Sequence, residues 1–334
     1  MRIAITGAAG FIGSHLSERL LAAGHDVLCL DVLDRFYPAP IKLANLQEAL
    51  RHPRFVLATA DVCDPEALDD SFAQFRPEAV IHLAATAGVR PSIERPMTYV
   101  RSNVEATQRV LSASSQHGVS RVILAGSSSV YGKDQPPPFD EQSASGEPQS
   151  PYAATKRAME LLGAAHSSVH GLTVTVCRFF TVYGPRQRPD LAISRFVRAL
   201  LADRPITVFG DGSFARDFTY VEDTVAGIEA ALRAPRGYHV YNLGAGSPTS
   251  VNDLVAAIEQ VMGKRAEIRR EPQQRGDVPL TFASVAKAKR ELGWQARVGL
   301  QEGLARFVQW ARTAPEAYFR AGEPWSLLVQ PPQP

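Results

Sequence analysis

Arg2-Ile3-Ala4-Ile5-Thr6-Gly7-Ala8-Ala9-Gly10-Phe11-Ile12-Gly13 begins with an apolar run, passes through three evenly spaced glycines and enters a helical pattern that lasts to Ala23. A strand, a glycine turn and a helix in that order make an anion site. The glycines admit backbone close to a pyrophosphate, and the helix start offers free N–H groups and a partial positive charge. The spacing is G-x-x-G-x-x-G. A tight turn without ligand can carry the same triplet, and its place on the first strand is what favours a dinucleotide. Gly7, Gly10, Phe11, Ile12 and Gly13 are therefore expected at a cofactor.

Working outward, Asp26 to Leu30 reads as a second strand ending at Asp31. A carboxylate about twenty residues past the glycines accepts hydrogen bonds from ribose hydroxyls and repels a 2′-phosphate, which favours NAD over NADP. Arg35 is the one nearby cation that pulls the other way, and its plain reading is a solvated surface arginine. Arg54 to Ala60 is a third strand, with Asp61-Val62 after it where an adenine could sit. Ala79 to Ala85 is a buried strand whose end, Leu83-Ala84-Ala85, lets backbone run beside a cofactor. His82 lies inside that apolar run and reads as a hydrogen-bonded core histidine. No His, Cys or carboxylate stands at ligand spacing from it, so no metal is expected.

Asn103 to His117 reads as a long helix, and Arg121 to Ala125 as a strand that empties into Gly126-Ser127-Ser128-Ser129-Val130-Tyr131-Gly132. The C-terminal ends of parallel strands are where open α/β sheets bind ligands. On the next helix, Tyr152-Ala153-Ala154-Thr155-Lys156 sets a phenol and an ammonium on one face. A tyrosine ionises near ~10 and needs a neighbouring cation to act as a base at neutral pH, which Lys156 is placed to supply. Alone, the spacing fits an exposed lysine over a tyrosine equally well. The glycine turn and serine cluster upstream give it weight.

After the strand Thr173 to Phe179 the alternation breaks at Thr181-Val182-Tyr183-Gly184-Pro185-Arg186-Gln187-Arg188-Pro189-Asp190, a proline-rich, basic crossing into a smaller domain. The pattern implies an α/β protein: a Rossmann-type doubly wound parallel sheet over 1–178, with 214–242 returning to it. A smaller α/β substrate domain would take 179–213 and 243–328, and 329–334 would be a disordered tail. Arg186, Arg188, Arg216 and Arg275 fall in loops or at element edges. Each alone is a solvated charge, but together they suggest a pocket for a second phosphorylated ligand.

Composition narrows the class. The 334 residues are 45% hydrophobic and 21% charged with a net charge of +2, so nothing draws the chain to nucleic acid or membrane. Cys29, Cys63 and Cys177 suit neither a disulfide framework nor a zinc site, which fits a reducing cytoplasm. Neither a signal peptide nor a membrane helix is expected.

Gly7 to Gly13, Asp31, Ser127 to Gly132, Tyr152 to Lys156, Arg216-Asp217-Phe218 and Arg275-Gly276-Asp277 together resemble the extended short-chain dehydrogenase/reductases that remodel nucleotide sugars. The resemblance runs from Met1 to about Trp310. Ala87-Gly88-Val89-Arg90, Arg178 to Pro185 and Arg186 to Asp190 look most like the UDP-glucuronate 4-epimerases of that family.

The resemblance implies Tyr152 as acid and base on the sugar 4-hydroxyl, Lys156 as its tuning cation and ribose ligand, and Ser127 as partner of the reacting oxygen. It implies Asn103, Asp61 and Val62 at NAD, Arg90 at the substrate, and Arg216, Arg275 and Asp277 at the diphosphate and ribose of UDP. Related dehydratases carry Asp-Glu where this chain has Ser128-Ser129, and decarboxylating relatives keep a glutamate at Ser129. Lacking both, the site is suited to oxidise and reduce at C4 only. Ser128, Ser129, Thr181 and Arg186 are expected to hold the sugar carboxylate and slow loss of carbon dioxide from the β-keto acid intermediate. A neutral UDP-hexose 4-epimerase is the nearest alternative and a silent NAD-binding regulator the remote one. The helices 103–117 and 152–170 resemble those that pair as a four-helix bundle in the family's homodimer.

Overall fold

Odd and even residues of the first strand go to opposite faces of one sheet. Ile3 and Ile5 of β1 (Arg2–Thr6) pack with Leu16 and Leu20 of α1 (Phe11–Ala22), while Ala4 joins the cluster on the other side. The computed structural model describes residues 1–33, 39–133, 135–143, 146–273, 278–314 and 318. The later strands of the central sheet are β2 (Asp26–Leu30), β3 (Phe55–Ala58), β4 (Ala79–His82), β5 (Arg121–Ser127), β6 (Thr173–Phe179) and β7 (Tyr238–Leu243). They lie in the order β7-β6-β5-β4-β1-β2-β3, and every pairing is parallel. Burial on both faces accounts for uninterrupted apolar runs such as Ala79-Val80-Ile81.

Helices α2 (Pro65–Phe75), α3 (Ala106–Gln116) and α4 (Pro151–His170) cover one face through Leu68, Phe72, Val110, Leu111 and Met159. The other face takes α1 and α5 (Val221–Ala231), the latter through Val225 and Ile228. The chain runs outward from β1 to β3 and then returns to β4 on the far side of β1. That reversal opens a crevice at the strand ends.

The smaller half is built around the strand Ala215–Tyr220. Thr181–Tyr183 and Leu280–Thr281 pair with it in parallel, and Pro248–Ser250 antiparallel. Asp217, at its centre, is fully buried and accepts from Ala245 N at 2.7 Å, Gly246 N at 3.0 Å and Ala283 N at 3.0 Å. Burial pushes its pKa up against those bonds, so this motif residue is a structural staple.

Two segments differ from the pattern read in the sequence. The helix expected to start at Asn103 begins at Ala106 instead, and Asn103 lies in a π-helical stretch Val100–Glu105 that follows helices Val89–Glu94 and Pro96–Tyr99. Pro96 stands at the start of its helix, where the missing N–H is harmless. A further helix, Ala39–Asn45, follows β2. Among the described residues no helix is long and apolar enough to cross a membrane, and no group of three or more His, Cys, Asp or Glu could hold a metal ion.

Candidate active site

A cleft of about 1050 Å³ opens along the C-terminal ends of the central strands. Its cofactor wall is made mostly of backbone. Gly7 has φ 72°, and a Cβ there would stand 2.7 Å from Ala84 N; a Cβ on Gly13 would stand 2.5 Å from Gly7 O. Only glycine lets α1 and β4 approach the turn this closely. Gly10 caps α1 with no side-chain bond, leaving the first-turn N–H groups to a ligand. Phe11, Ile12, Leu83, Ala84 and Ala85 line the same wall.

Asp31 is 6% exposed. It accepts from Ala9 N at 3.1 Å and Leu33 N at 2.8 Å, and lies 3.5 Å from Lys42 Nζ. Asn45 donates to Ala9 O at 3.0 Å, and the Tyr318 hydroxyl donates to Asn45 Oδ1. Helix 39–45 thus braces the glycine turn. Its weak pattern left Lys42 and Asn45 unread from the sequence. Asp61 and Val62 reach the cleft, Asp61 pairing with Arg101 at 3.2 Å. Arg35 lies outside the described residues.

Asn103 does not line the cleft. Its amide receives Thr86 N at 2.8 Å and donates to Thr86 O and Thr155 Oγ1 at 3.0 Å, tying the loop after β4 to α4. His82 sits between Thr6 Oγ1 at 2.7 Å and Thr107 Oγ1 at 3.2 Å. Burial, with the Lys156 charge adding to it, lowers its pKa to about 3, so it is a neutral core residue.

Ser150 and Pro151 fix the start of α4: the serine accepts from Ala153 N at 3.1 Å and the proline fills the first turn. Tyr152 is thereby set on the cleft wall, with the Tyr99 ring edge-on at 6.2 Å. Burial raises the Tyr152 pKa, while a hydrogen bond with Ser127 and the Arg188 charge pull the other way. Lys156 Nζ lies 5.9 Å from the centre of the Tyr152 ring and donates to Ala125 O at 2.8 Å. This lysine is 4% exposed, and burial lowers its pKa to about 8 against the opposing pull of Glu160. Glu160, one turn further on, is fully buried and takes both arms of Arg178 at 2.8 and 2.9 Å. It extends the stripe of Tyr152 and Lys156 by another four residues, a spacing the sequence displays.

The opposite wall is made of side chains. Ser127, Ser128 and Ser129 stand at the end of β5, the Ser129 hydroxyl donating to Ser127 Oγ at 2.9 Å. Thr181, Arg188 and Arg216 line the cleft from the smaller half. Asp190 holds the Arg188 guanidinium at 3.0 and 2.6 Å. Arg186, expected here, points away instead: its Nη2 is 2.7 Å from Glu18 Oε1 on α1. The loop turns it outward, and Arg188 takes the place at the cleft. Arg90 lies off the cleft wall, over the Phe209 ring at 5.3 Å, with Arg195 at 6.0 Å from the same ring. Arg275 and Asp277 fall outside the described residues.

Residues 3–244 match the NAD dependent epimerase/dehydratase family. The chain belongs to that family. A UDP-glucuronate 4-epimerase of Thermodesulfobacterium geofontis is 41% identical over 309 residues, covering 92% of this chain and 95% of the relative. Among solved structures, UDP-glucuronic acid 4-epimerase from Bacillus cereus, in complex with UDP-glucuronic acid and NAD, superposes with a TM-score of 0.88. It is 34% identical, over 94% of this chain and 99% of that one. A UDP-glucose 4-epimerase from Thermotoga maritima with UDP-glucose reaches the same TM-score at 32% identity, with the same coverage. The family's cofactor is thus NAD, and the glycine turn and Asp31 have the form to receive it.

Proposed function

We propose that this chain inverts C4 of a UDP-sugar, converting UDP-glucuronate to UDP-galacturonate. The observation that carries the reading is the makeup of the wall around Tyr152. Among the described lining residues the only carboxylates are Asp31 and Asp61, both on the cofactor side. Dehydration needs an acid and a base beyond the tyrosine, and no carboxylate here supplies them. Arg188, Ser128, Ser129 and Thr181 are instead groups that bind an anion.

Tyr152 Oη takes the proton of the sugar 4-hydroxyl and later returns it. The Ser127 hydroxyl, whose presence draws the phenol's pKa down, is assigned to hold the reacting oxygen in line. The buried Lys156 ammonium offsets the negative charge that grows on the phenol. When bound, NAD supplies the hydride acceptor and donor that inversion through a ketone requires. The 4-keto sugar must turn over between the two transfers, and Arg188 with the serines and Thr181 keeps its carboxylate from the alignment in which carbon dioxide departs. Arg216, Arg275 and Asp277 are assigned to the diphosphate and ribose of UDP. In this reading the sugar-binding domain is 179–220 with 244–314: the strand Ala215–Tyr220, expected with the first domain, pairs in the smaller sheet, and only 221–243 return to the central one.

The neutral UDP-hexose reading rests on the equal TM-score of the Thermotoga maritima enzyme. Incubation with UDP-glucuronate and UDP-glucose in parallel, with products identified by NMR, separates the two. Turnover of the acidic sugar alone supports our reading, and turnover of the neutral one alone rejects it.

We further propose a homodimer across α3 and α4. Leu161 and Val169 of α4 are exposed, Val169 at 74%. Sedimentation of Leu161→Asp as a monomer, against a dimeric parent, is the expected result. The three cysteines are free and buried, which fits the reducing cytoplasm we assign as its compartment.

A further inference from the structure

Loop 184–190 sends its two arginines to different places. Gly184 with φ 144° and Arg186 with φ 64° turn the chain, Gln187 is buried between the two arginines, and Arg188 emerges at the cleft. Gln187 N donates to Gly184 O at 3.1 Å, closing a turn with Pro185 and the left-handed Arg186 at its centre. Two contacts dock that turn on α1. Arg186 Nη2 lies 2.7 Å from Glu18 Oε1, and His15 Nε2, one turn earlier, donates to Pro185 O at 2.8 Å.

The loop is therefore anchored on both sides. Towards the smaller half, Gln187 Nε2 donates to Val182 O at 3.4 Å, Ser194 Oγ donates to Gln187 Oε1 at 3.3 Å, and Arg198 Nη1 donates to Pro189 O at 3.4 Å. Across the cleft, Pro185 and Arg186 make the two contacts to α1. Asp190 already fixes the Arg188 guanidinium relative to its own loop. What remains to be fixed is the height of that loop above the cofactor domain. Since α1 begins at the glycine turn, with Phe11, Ile12 and Gly13 on the cleft wall, a tie to α1 refers Arg188 to the cofactor itself.

We propose that Glu18, Arg186 and His15 form a latch that clamps the 185–190 loop onto α1 and so sets where Arg188 meets the sugar carboxylate. Arg186 is then a positioning residue for that carboxylate and not its ligand. The inference rests on the acidic-sugar reading given above. Burial, with the Arg186 charge second, lowers the His15 pKa to about 4, so His15 donates from a neutral ring throughout the working pH range.

The test uses the full-length, NAD-loaded protein. Arg186→Met and Glu18→Gln, singly and together, are compared with Arg188→Met for KM and kcat on UDP-glucuronate and for UDP affinity by calorimetry. Each latch variant should raise KM about five- to tenfold, the pair no more than the worse single, with kcat within about twofold and UDP affinity unchanged. The exchanged pair Glu18→Arg with Arg186→Glu should recover much of the lost KM, which a folding defect would not allow. Unchanged KM, KM and UDP affinity worsening in step, or single effects that multiply in the double variant each overturn the latch. If Arg188→Met raises KM and the latch variants do not, the latch alone falls. If Arg188→Met has no effect, or the parent does not bind UDP-glucuronate, the acidic-sugar reading falls and the latch with it.

Discussion

The two walls of the cleft are built on different principles. The cofactor wall is backbone: a glycine turn, the end of β4 and a helix start, set by the register of parallel strands. The facing wall, which we assign to the sugar, is side chains: the serines at the end of β5 and Arg188 on a loop tied down by ion pairs. A backbone wall tolerates no added atom, whereas a side-chain wall can be altered one group at a time. The first therefore fixes the reaction type and the second the substrate.

The sharpest break of that contrast is at the chemistry between the walls. Tyr152→Phe should lower kcat by about 10³-fold while NAD still binds, since a general acid–base group is lost and nothing else. On the cofactor wall, Gly13→Ala places a Cβ 2.5 Å from Gly7 O and 2.6 Å from Ala8 Cα. The turn must open, so NAD affinity should fall about a hundredfold and the melting temperature with it, as read by NAD titration and calorimetry. On the sugar wall, Arg188→Met should raise KM for UDP-glucuronate about tenfold or more and leave NAD affinity alone, because only one charge-assisted contact is removed. Equal damage to NAD binding from Arg188→Met would erase the distinction between the walls.

The smallest effect is on acid stability. His82 under the cofactor wall and His15 at the latch are held neutral, with pKa values lowered to about 3 and about 4. In the unfolded chain both titrate near ~6.5, so below that pH the unfolded state binds more protons. Their stability contribution is complete above pH ~6.5 and is lost as pH falls towards about 4 for His15 and about 3 for His82. Melting temperature should decline through that window, and His15→Gln should flatten its upper part.

What the sequence disclosed follows the same division. Gly7, Gly10, Gly13 and the strand end at Ala84 could be read because a close backbone approach needs particular residues at particular spacings. Tyr152 and Lys156 could be read because helical spacing places them on one face. Arg186 and Arg188 could not be told apart, since they stand two residues apart in a loop, and only the left-handed turn at 186 decides which one faces the cleft. Asn103 has the residue type for a cofactor contact, yet the π-helical stretch turns its amide onto Thr86 and Thr155. Lys42 and Asn45 carried no motif at all, and only the packing of helix 39–45 under the glycine turn shows their use.

The central claim is that hydride leaves C4 and returns to the same carbon from the other side, with Tyr152 moving only the hydroxyl proton. Incubating the protein and NAD with UDP-glucuronate in deuterium oxide, and following the sugar protons by NMR, tests it most directly. The account predicts UDP-galacturonate that keeps protium at C4. Deuterium at a ring carbon, a pentose product, or no change in the sugar would contradict it.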